Sequence, residues 1–117
     1  MINELGTTIR LSFRPHLDAW NESGRKYCTT RLEKKADTGD VFFRRGICYR
    51  VTGVTPMTLI QAVCSEWSKE GYISRQEFVS ELMDIYPEIR NNKTAGKIVW
   101  VHYYRKWGHF GADRRKL

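Results

Sequence analysis

From Thr8 to Phe13 the chain alternates, with Ile9, Leu11 and Phe13 on one side and Thr8, Arg10 and Ser12 on the other. That period of two predicts a half-buried strand. Pro15 suits a first helical turn and opens a short helix to about Ser23, with Leu17 and Trp20 three apart on its inner face and Gly24 as its left-handed stop. Tyr27 to Leu32 reads as a second strand. Thr38-Gly39-Asp40 is a turn, and Val41–Arg44 and Ile47–Val54 follow as two strands of a hairpin joined near Arg45-Gly46. In the later strand Ile47, Tyr49 and Val51 share a face opposite Cys48, Arg50 and Thr52, and Pro56 closes the strand region. Leu59 to Trp67 is a short helical or irregular connection.

Ser74-Arg75-Gln76-Glu77 is a capping box, in which the serine accepts from free N–H groups while Glu77 reaches back to the cap. Phe78, Leu82 and Ile85 recur behind it at helical spacing, and Pro87 stops the helix near Tyr86. Asn91 to Gly96 is a loop. Ile98 to Tyr104 is nearly continuously apolar and aromatic, the pattern of a central strand buried on both faces. The order β-α-β-β-β-(short α)-α-β predicts an α+β domain with a curved or closed sheet. There is no internal repeat and no low-complexity tract.

With 117 residues the chain predicts one domain able to build a core without staples. A hydrophobic fraction of 41% and an aromatic fraction of 13% exclude a disordered chain. Cys28, Cys48 and Cys64 are an odd number with no C-x-x-C pair. They argue against a disulfide framework and a cysteine-rich zinc site, and for a reducing compartment. Met1 to Thr8 lacks the features of a signal peptide, and no apolar stretch approaches the roughly 20 residues that cross a bilayer. The expectation is a soluble cytoplasmic protein without a membrane partner. His16, His102 and His109 show no metal spacing, so no metal and no cofactor is expected.

The formal charge of +7 is unevenly spread. After Asn91 come Lys93, Lys97, Arg105, Lys106, Arg114, Arg115 and Lys116 against a single acid, Asp113. Such a cluster attracts phosphates over a Debye length, about 10 Å at 0.1 M salt; a solvated basic tail that aids solubility is the other reading. Tyr103, Tyr104, Trp107 and Phe110 interleave with Arg105, Lys106 and Arg114, a stacking-and-charge pattern suited to single-stranded nucleic acid. Alternatively one of the two tyrosines belongs to the core.

The densest chemistry lies in Gly24-Arg25-Lys26-Tyr27-Cys28-Thr29-Thr30-Arg31, followed by Gly39-Asp40. Two guanidiniums, an amine, two hydroxyls and a thiol at the start of a strand form a plausible anion or nucleotide site. For each residue a plainer role stands beside this one. Lys26 reads also as a surface lysine, Thr29 as a β-branched strand residue, Glu70 as a partner of Lys69 or Arg75, and Arg31 as a partner of Asp40. Cys28 has no adjacent histidine and reads as a buried structural thiol.

Taken together these motifs resemble the ASCH family of the PUA-like superfamily. The resemblance rests on Leu11-Ser12-Phe13, Gly24-x-Lys26 through Arg31, Gly39-Asp40, Tyr49 to Val54, Glu70-Gly71-Tyr72, Phe78, Tyr86-Pro87 and Val99-Trp100-Val101. It spans about residues 8 to 105, giving a domain over 1–105 and a basic C-terminal tail over 106–117. It implies a PUA-like small β-barrel of about five to six strands with two to three flanking helices, and a cleft that binds RNA or nucleotides. Some small bacterial members are acetylcytidine amidohydrolases, and their catalytic pattern resembles Lys26, Thr29 and Glu70. Tyr27 and Cys28 depart from that pattern, and the tail beyond Arg105 is an extension.

Amide hydrolysis needs a nucleophile, a base and an acid. Thr29 could serve as nucleophile, Lys26 as base and Glu70 as proton donor or shuttle. A lysine acts as base only when neutral, a form that burial and the neighbouring cations Arg25 and Arg31 favour. In a regular strand Lys26 and Thr29 point to opposite faces, so they converge only if Lys26 lies before the strand or a bulge intervenes. The expected function is binding of RNA or a modified nucleoside in a basic cleft, with Arg25, Arg31, Arg105, Lys106 and Trp107 as anion or nucleic-acid contacts. The alternatives are an amidohydrolase acting on acetylcytidine-type nucleosides, a metal-independent ribonuclease, and an interaction module whose tail docks on an acidic protein.

Overall fold

The computed structural model describes residues 6–90 and 94–109. Its elements run α1 (Pro15–Ser23), β1 (Cys28–Arg31), β2 (Val41–Arg44), β3 (Ile47–Thr58), α2 (Leu59–Ser65), α3 (Arg75–Ile85), a 3₁₀ turn (Pro87–Arg90) and β4 (Ile98–His109). The strands form one antiparallel sheet in the order β1-β4-β3-β2. The sheet curls into a half-barrel flanked by the helices, an α+β arrangement with four strands among the described residues where five to six were expected. No helix of the described residues is long and apolar enough to cross a membrane.

Local signals account for most boundaries. Pro15 stands at the start of α1, and Gly24 (φ 83°) ends it in a left-handed cap. Arg45 (φ 52°) and Gly46 (φ 79°) form the two-residue turn between β2 and β3, where both central residues need positive φ. Ser74 Oγ accepts from the Glu77 amide at 3.1 Å, while the Glu77 carboxylate passes the cap and accepts from the Ile73 amide at 3.2 Å. A second box, complete, opens α2: Thr58 Oγ1 accepts from the Gln61 amide and Gln61 Oε1 from the Thr58 amide. That box makes the Leu59 segment a regular helix.

β4 lies between β1 and β3, and Val99, Val101, His102 and Tyr104 are all buried. Neighbouring positions of both parities are covered, which explains its unbroken apolar run. One core cluster joins Val99, Val101 and Cys28 to Leu59, Ala62, Tyr72, Phe78, Leu82 and Ile89 from the helical side. The other gathers Ile47, Tyr49 and Val51 with Phe42, Tyr104, Leu11 and Ala36. The predicted shared face of Ile47, Tyr49 and Val51 is therefore present.

Three predicted boundaries are corrected. Thr8 to Phe13 makes only a parallel bridge at Thr8–Val41. Its apolar side still buries, since Leu11 is in the second cluster with Ile9 and Phe13 against it; packing alone satisfies the alternation, and α1 begins too soon for a ladder to form. β3 runs through Pro56 to Thr58, because past Val51 it pairs, among the described residues, with β4 alone and a missing N–H is tolerated on an open edge. β4 continues beyond Tyr104 to His109 along the β3 ladder, so residues 106–109 belong to a strand. Residues 110–117 of the predicted tail, with Phe110, Asp113, Arg114, Arg115 and Lys116, lie outside the described residues, as does Lys93.

Candidate ligand cleft

Lys26 reaches the site because it stands before β1. Its amide bonds to Trp20 O at 3.0 Å, and the Tyr27 amide bonds to Lys69 O at 2.9 Å. These bonds pin the approach to β1 between the end of α1 and the turn that carries Glu70. The irregular entry allows Lys26 and Thr29 to line one hollow, as the sequence argument required. Glu70 is delivered by a turn closed through Glu70 N to Glu66 O at 3.1 Å and Gly71 N to Ser68 O at 3.0 Å. Gly71 sits at φ 99°, and a Cβ there would stand 2.8 Å from Trp20 Cε3 and 3.2 Å from Lys26 Cβ. No other residue type lets that turn come so close to Lys26.

The hollow measures about 430 Å³, within the range of small-ligand pockets. Lys26, Thr29, Thr30 and Glu70 line it and are at most 5% exposed. Ser12, Phe13 and Arg14 form one wall; Phe78, Leu82 and Ile85 of α3 with Tyr86 form another.

Lys26 Nζ lies 2.5 Å from Glu70 Oε1 and donates to Cys28 O at 2.8 Å. The Thr30 hydroxyl donates to Glu70 Oε2 at 2.6 Å, so both carboxylate oxygens are held. Arg31 Nε donates to Thr29 Oγ1 at 3.0 Å and Arg31 Nη2 to Ser12 O at 2.8 Å, with the guanidinium 5.1 Å from the Phe13 ring centre. At the rim Arg14 Nη1 bonds to Asp84 Oδ2 at 3.2 Å, bridging the α1 approach to α3.

Burial pushes the Cys28 thiol well above its ordinary value, with the Glu70 carboxylate adding to the rise, which makes it an inert core thiol. Burial also raises the Tyr86 hydroxyl, partly opposed by the nearby Arg31 charge. Behind β1, His102 is fully buried. Its Nε2 accepts from the Lys35 amide at 2.9 Å and its Nδ1 lies 3.4 Å from Thr29 O, which assigns the proton to Nδ1. Burial holds this imidazole below its usual range.

The hollow thus brings together Lys26, Thr29, Glu70 and Arg31 and leaves the other predicted site residues elsewhere. Arg25 stacks on Trp20 at 3.9 Å and its Nε donates to Gly71 O at 2.6 Å, buttressing the Glu70 turn from outside. Arg105 and Lys106 are exposed on β4, and Trp107 occupies a bulge between the Tyr49–Lys106 and Cys48–Gly108 pairs, with the Arg50 guanidinium 5.6 Å from its ring centre. None of the three lines the cleft. Two predicted alternative pairings are corrected. Asp40 accepts from the Thr7 and Asp37 amides instead of Arg31, and Lys69 pairs with Glu66, leaving Glu70 to Lys26. Tyr104 is core, bonded to Asn21, and Tyr103 donates to Glu66 at 2.5 Å. Thr30 is the contact that sequence reasoning missed; its only signal was a second hydroxyl beside Thr29. Among the described residues no three His, Cys, Asp or Glu side chains gather into a metal-binding group.

No protein-family model matches the chain, and no curated protein does. Solved structures do. The crystal structure of hypothetical protein PH0355 is similar at TM-score 0.64 and 18% identity, over 81% of this chain and 94% of that one. Protein EF3133 from Enterococcus faecalis V583, described with the family model DUF984, is similar at TM-score 0.60 and 13% identity, over 86% and 72%. Protein PF0455 from Pyrococcus furiosus is similar at TM-score 0.55 and 16% identity, over 80% and 92%. At these identities the likeness is one of fold.

Proposed function

We propose that the chain is an ASCH-type domain whose cleft binds a modified nucleoside and hydrolyses an amide on it, as in acetylcytidine-type substrates. The observation that carries this reading is the Lys26–Glu70 pair, two opposite charges at 2.5 Å lining a nucleoside-sized hollow. Burying such a pair is costly for folding, and a surface that only holds RNA phosphates has no need of it.

In this reading Thr29 Oγ attacks the acyl carbon. Its hydroxyl accepts from Arg31, which leaves its own proton to give and stabilises the developing alkoxide. Lys26 takes that proton after passing its own to Glu70, and the pair delivers a proton to the departing amine as the C–N bond breaks. Water then hydrolyses the acyl-threonine ester, releasing the carboxylic acid and restoring the hydroxyl. Thr30 holds Glu70 in register with Lys26.

The test is a nucleoside panel that includes acetylcytidine, followed for release of the acid. Turnover that disappears in Thr29→Val while the fold is kept supports the reading. Absence of turnover on every acylated nucleoside overturns it.

A second reading, RNA binding, draws on Arg50 and Arg105 as direct cross-strand neighbours with Trp107 stacked beside them. Its mark is affinity that falls steeply with salt and weakens in Arg105→Gln or Trp107→Ala. Cleavage of that RNA without added metal would favour the ribonuclease alternative.

A further inference from the structure

Among the described residues, the charged groups that line the cleft neutralise one another with one exception. Lys26 faces Glu70 at 2.5 Å, and Arg14 faces Asp84 at 3.2 Å. Arg31 remains. Its two bonded nitrogens meet uncharged oxygens, the Thr29 hydroxyl and the Ser12 carbonyl. These bonds fix the plane of the guanidinium at the cleft wall and leave Nη1 without a partner among the described residues. The fork is pre-oriented, so little side-chain entropy is lost when it grips an anion. Its charge opposes the rise that burial gives the Tyr86 hydroxyl, so its field reaches another group lining the hollow.

We propose that Arg31 binds a phosphate on the ligand's sugar, so that the cleft takes a nucleotide, free or within an RNA strand, in preference to a neutral nucleoside. This rests on the nucleoside reading of the cleft and extends it to the ligand's charge. Surplus positive charge in a half-enclosed hollow favours one anionic group, and a guanidinium–phosphate contact is among the stronger hydrogen bonds available. The group facing that phosphate is the Arg31 guanidinium through Nη1, while Thr29 Oγ stays with the acyl group; Glu70 is held off by its bonds to Lys26 and Thr30.

The experiment is calorimetric titration of the full chain with cytidine, cytidine 5′-monophosphate and a short cytidine-containing RNA. These parent compounds carry no amide, so the result does not depend on turnover. Tighter binding of the monophosphate than of cytidine, by about tenfold and shrinking as salt rises, supports the proposal. Arg31→Gln should abolish that preference and Arg31→Lys should restore part of it. Monophosphate and RNA binding equally per site points to the free nucleotide as sufficient, whereas much tighter RNA binding that Arg31→Gln still weakens assigns the phosphate to a strand; both support the contact. Equal binding of cytidine and its monophosphate overturns it and leaves the nucleoside reading standing. No binding of any of the three overturns both.

Discussion

Lys26 Nζ and Glu70 Oε1 lie 2.5 Å apart, each on a side chain withdrawn from solvent, although 44 residues separate them in the chain. The contact ties the entry of β1 to the turn after α2. It is the clamp around which the cleft is built, and its loss should be felt in folding as well as in function.

Removing one partner should therefore cost more than removing both. Glu70→Leu leaves the Lys26 ammonium buried without its counter-charge and is expected to lower stability by about 3–5 kcal/mol. The double variant Lys26→Met, Glu70→Leu should recover much of that loss while abolishing turnover. Urea denaturation of the three proteins checks the ordering; a double variant no more stable than Glu70→Leu would contradict it.

The two neighbouring threonines should separate. Thr30→Val strips a donor from a buried carboxylate and should cost about 1–3 kcal/mol of stability. Thr29→Val removes the proposed nucleophile, whose hydroxyl bonds, among the described residues, to the half-buried Arg31. It should leave the midpoint nearly unchanged and reduce turnover to background. Paired thermal melts and activity assays distinguish these outcomes.

Gly71→Ala is predicted to be severe. It demands a left-handed conformation of a residue with a Cβ, at about 1–2 kcal/mol, and adds a 2.8 Å approach to Trp20. Gly96→Ala, whose new Cβ meets nothing within 4 Å, is the matched control and should be close to neutral. Thermal midpoints of the two variants test the contrast.

Acid should destabilise the fold in two stages. His102 is neutral in the folded state, and burial depresses its folded pKa below the ordinary 6.5. The unfolded chain therefore binds more protons below about 6.5, so stability falls as pH drops from there towards the folded value. For Glu66, burial alone would raise the carboxyl, but hydrogen bonds from Tyr103, Ser65 and Lys69 outweigh it and hold it below the ordinary 4.5. Its contribution is present above that pH and is lost as pH falls through the folded value. Stability measured against pH in His102→Gln should lose the first stage and keep the second.

Much of this fold was legible because several segments each carry one dominant signal. β4 is read from an apolar run covered on both faces, and the β2–β3 hairpin from Arg45-Gly46. The Thr8–Phe13 alternation misleads because period-two patterning reports burial on one side, and packing by Leu11 satisfies that without a ladder. At the site, Lys26 and Thr29 were singled out through the family resemblance, and the irregular start that Gly24 permits is what lets both line the hollow. What hid Thr30 is that β1 is only four residues long and Thr29, Thr30 and Arg31 line the hollow in succession. The separation of Arg25 and of Arg105 to Trp107 from the cleft was equally hidden, since charge patterning carries no information on which surface a cation occupies.

The passage of β3 through Pro56 reaches beyond the single molecule. Among the described residues the half-barrel does not close, and its open edge presents main-chain groups that another chain can recruit into intermolecular growth. A ring-locked residue opposite Trp100 interrupts that template where the second neighbour is missing. Colloidal stability is thereby written into the same segment that completes the sheet, and Pro56→Thr should form higher-order species sooner on concentration, as followed by light scattering.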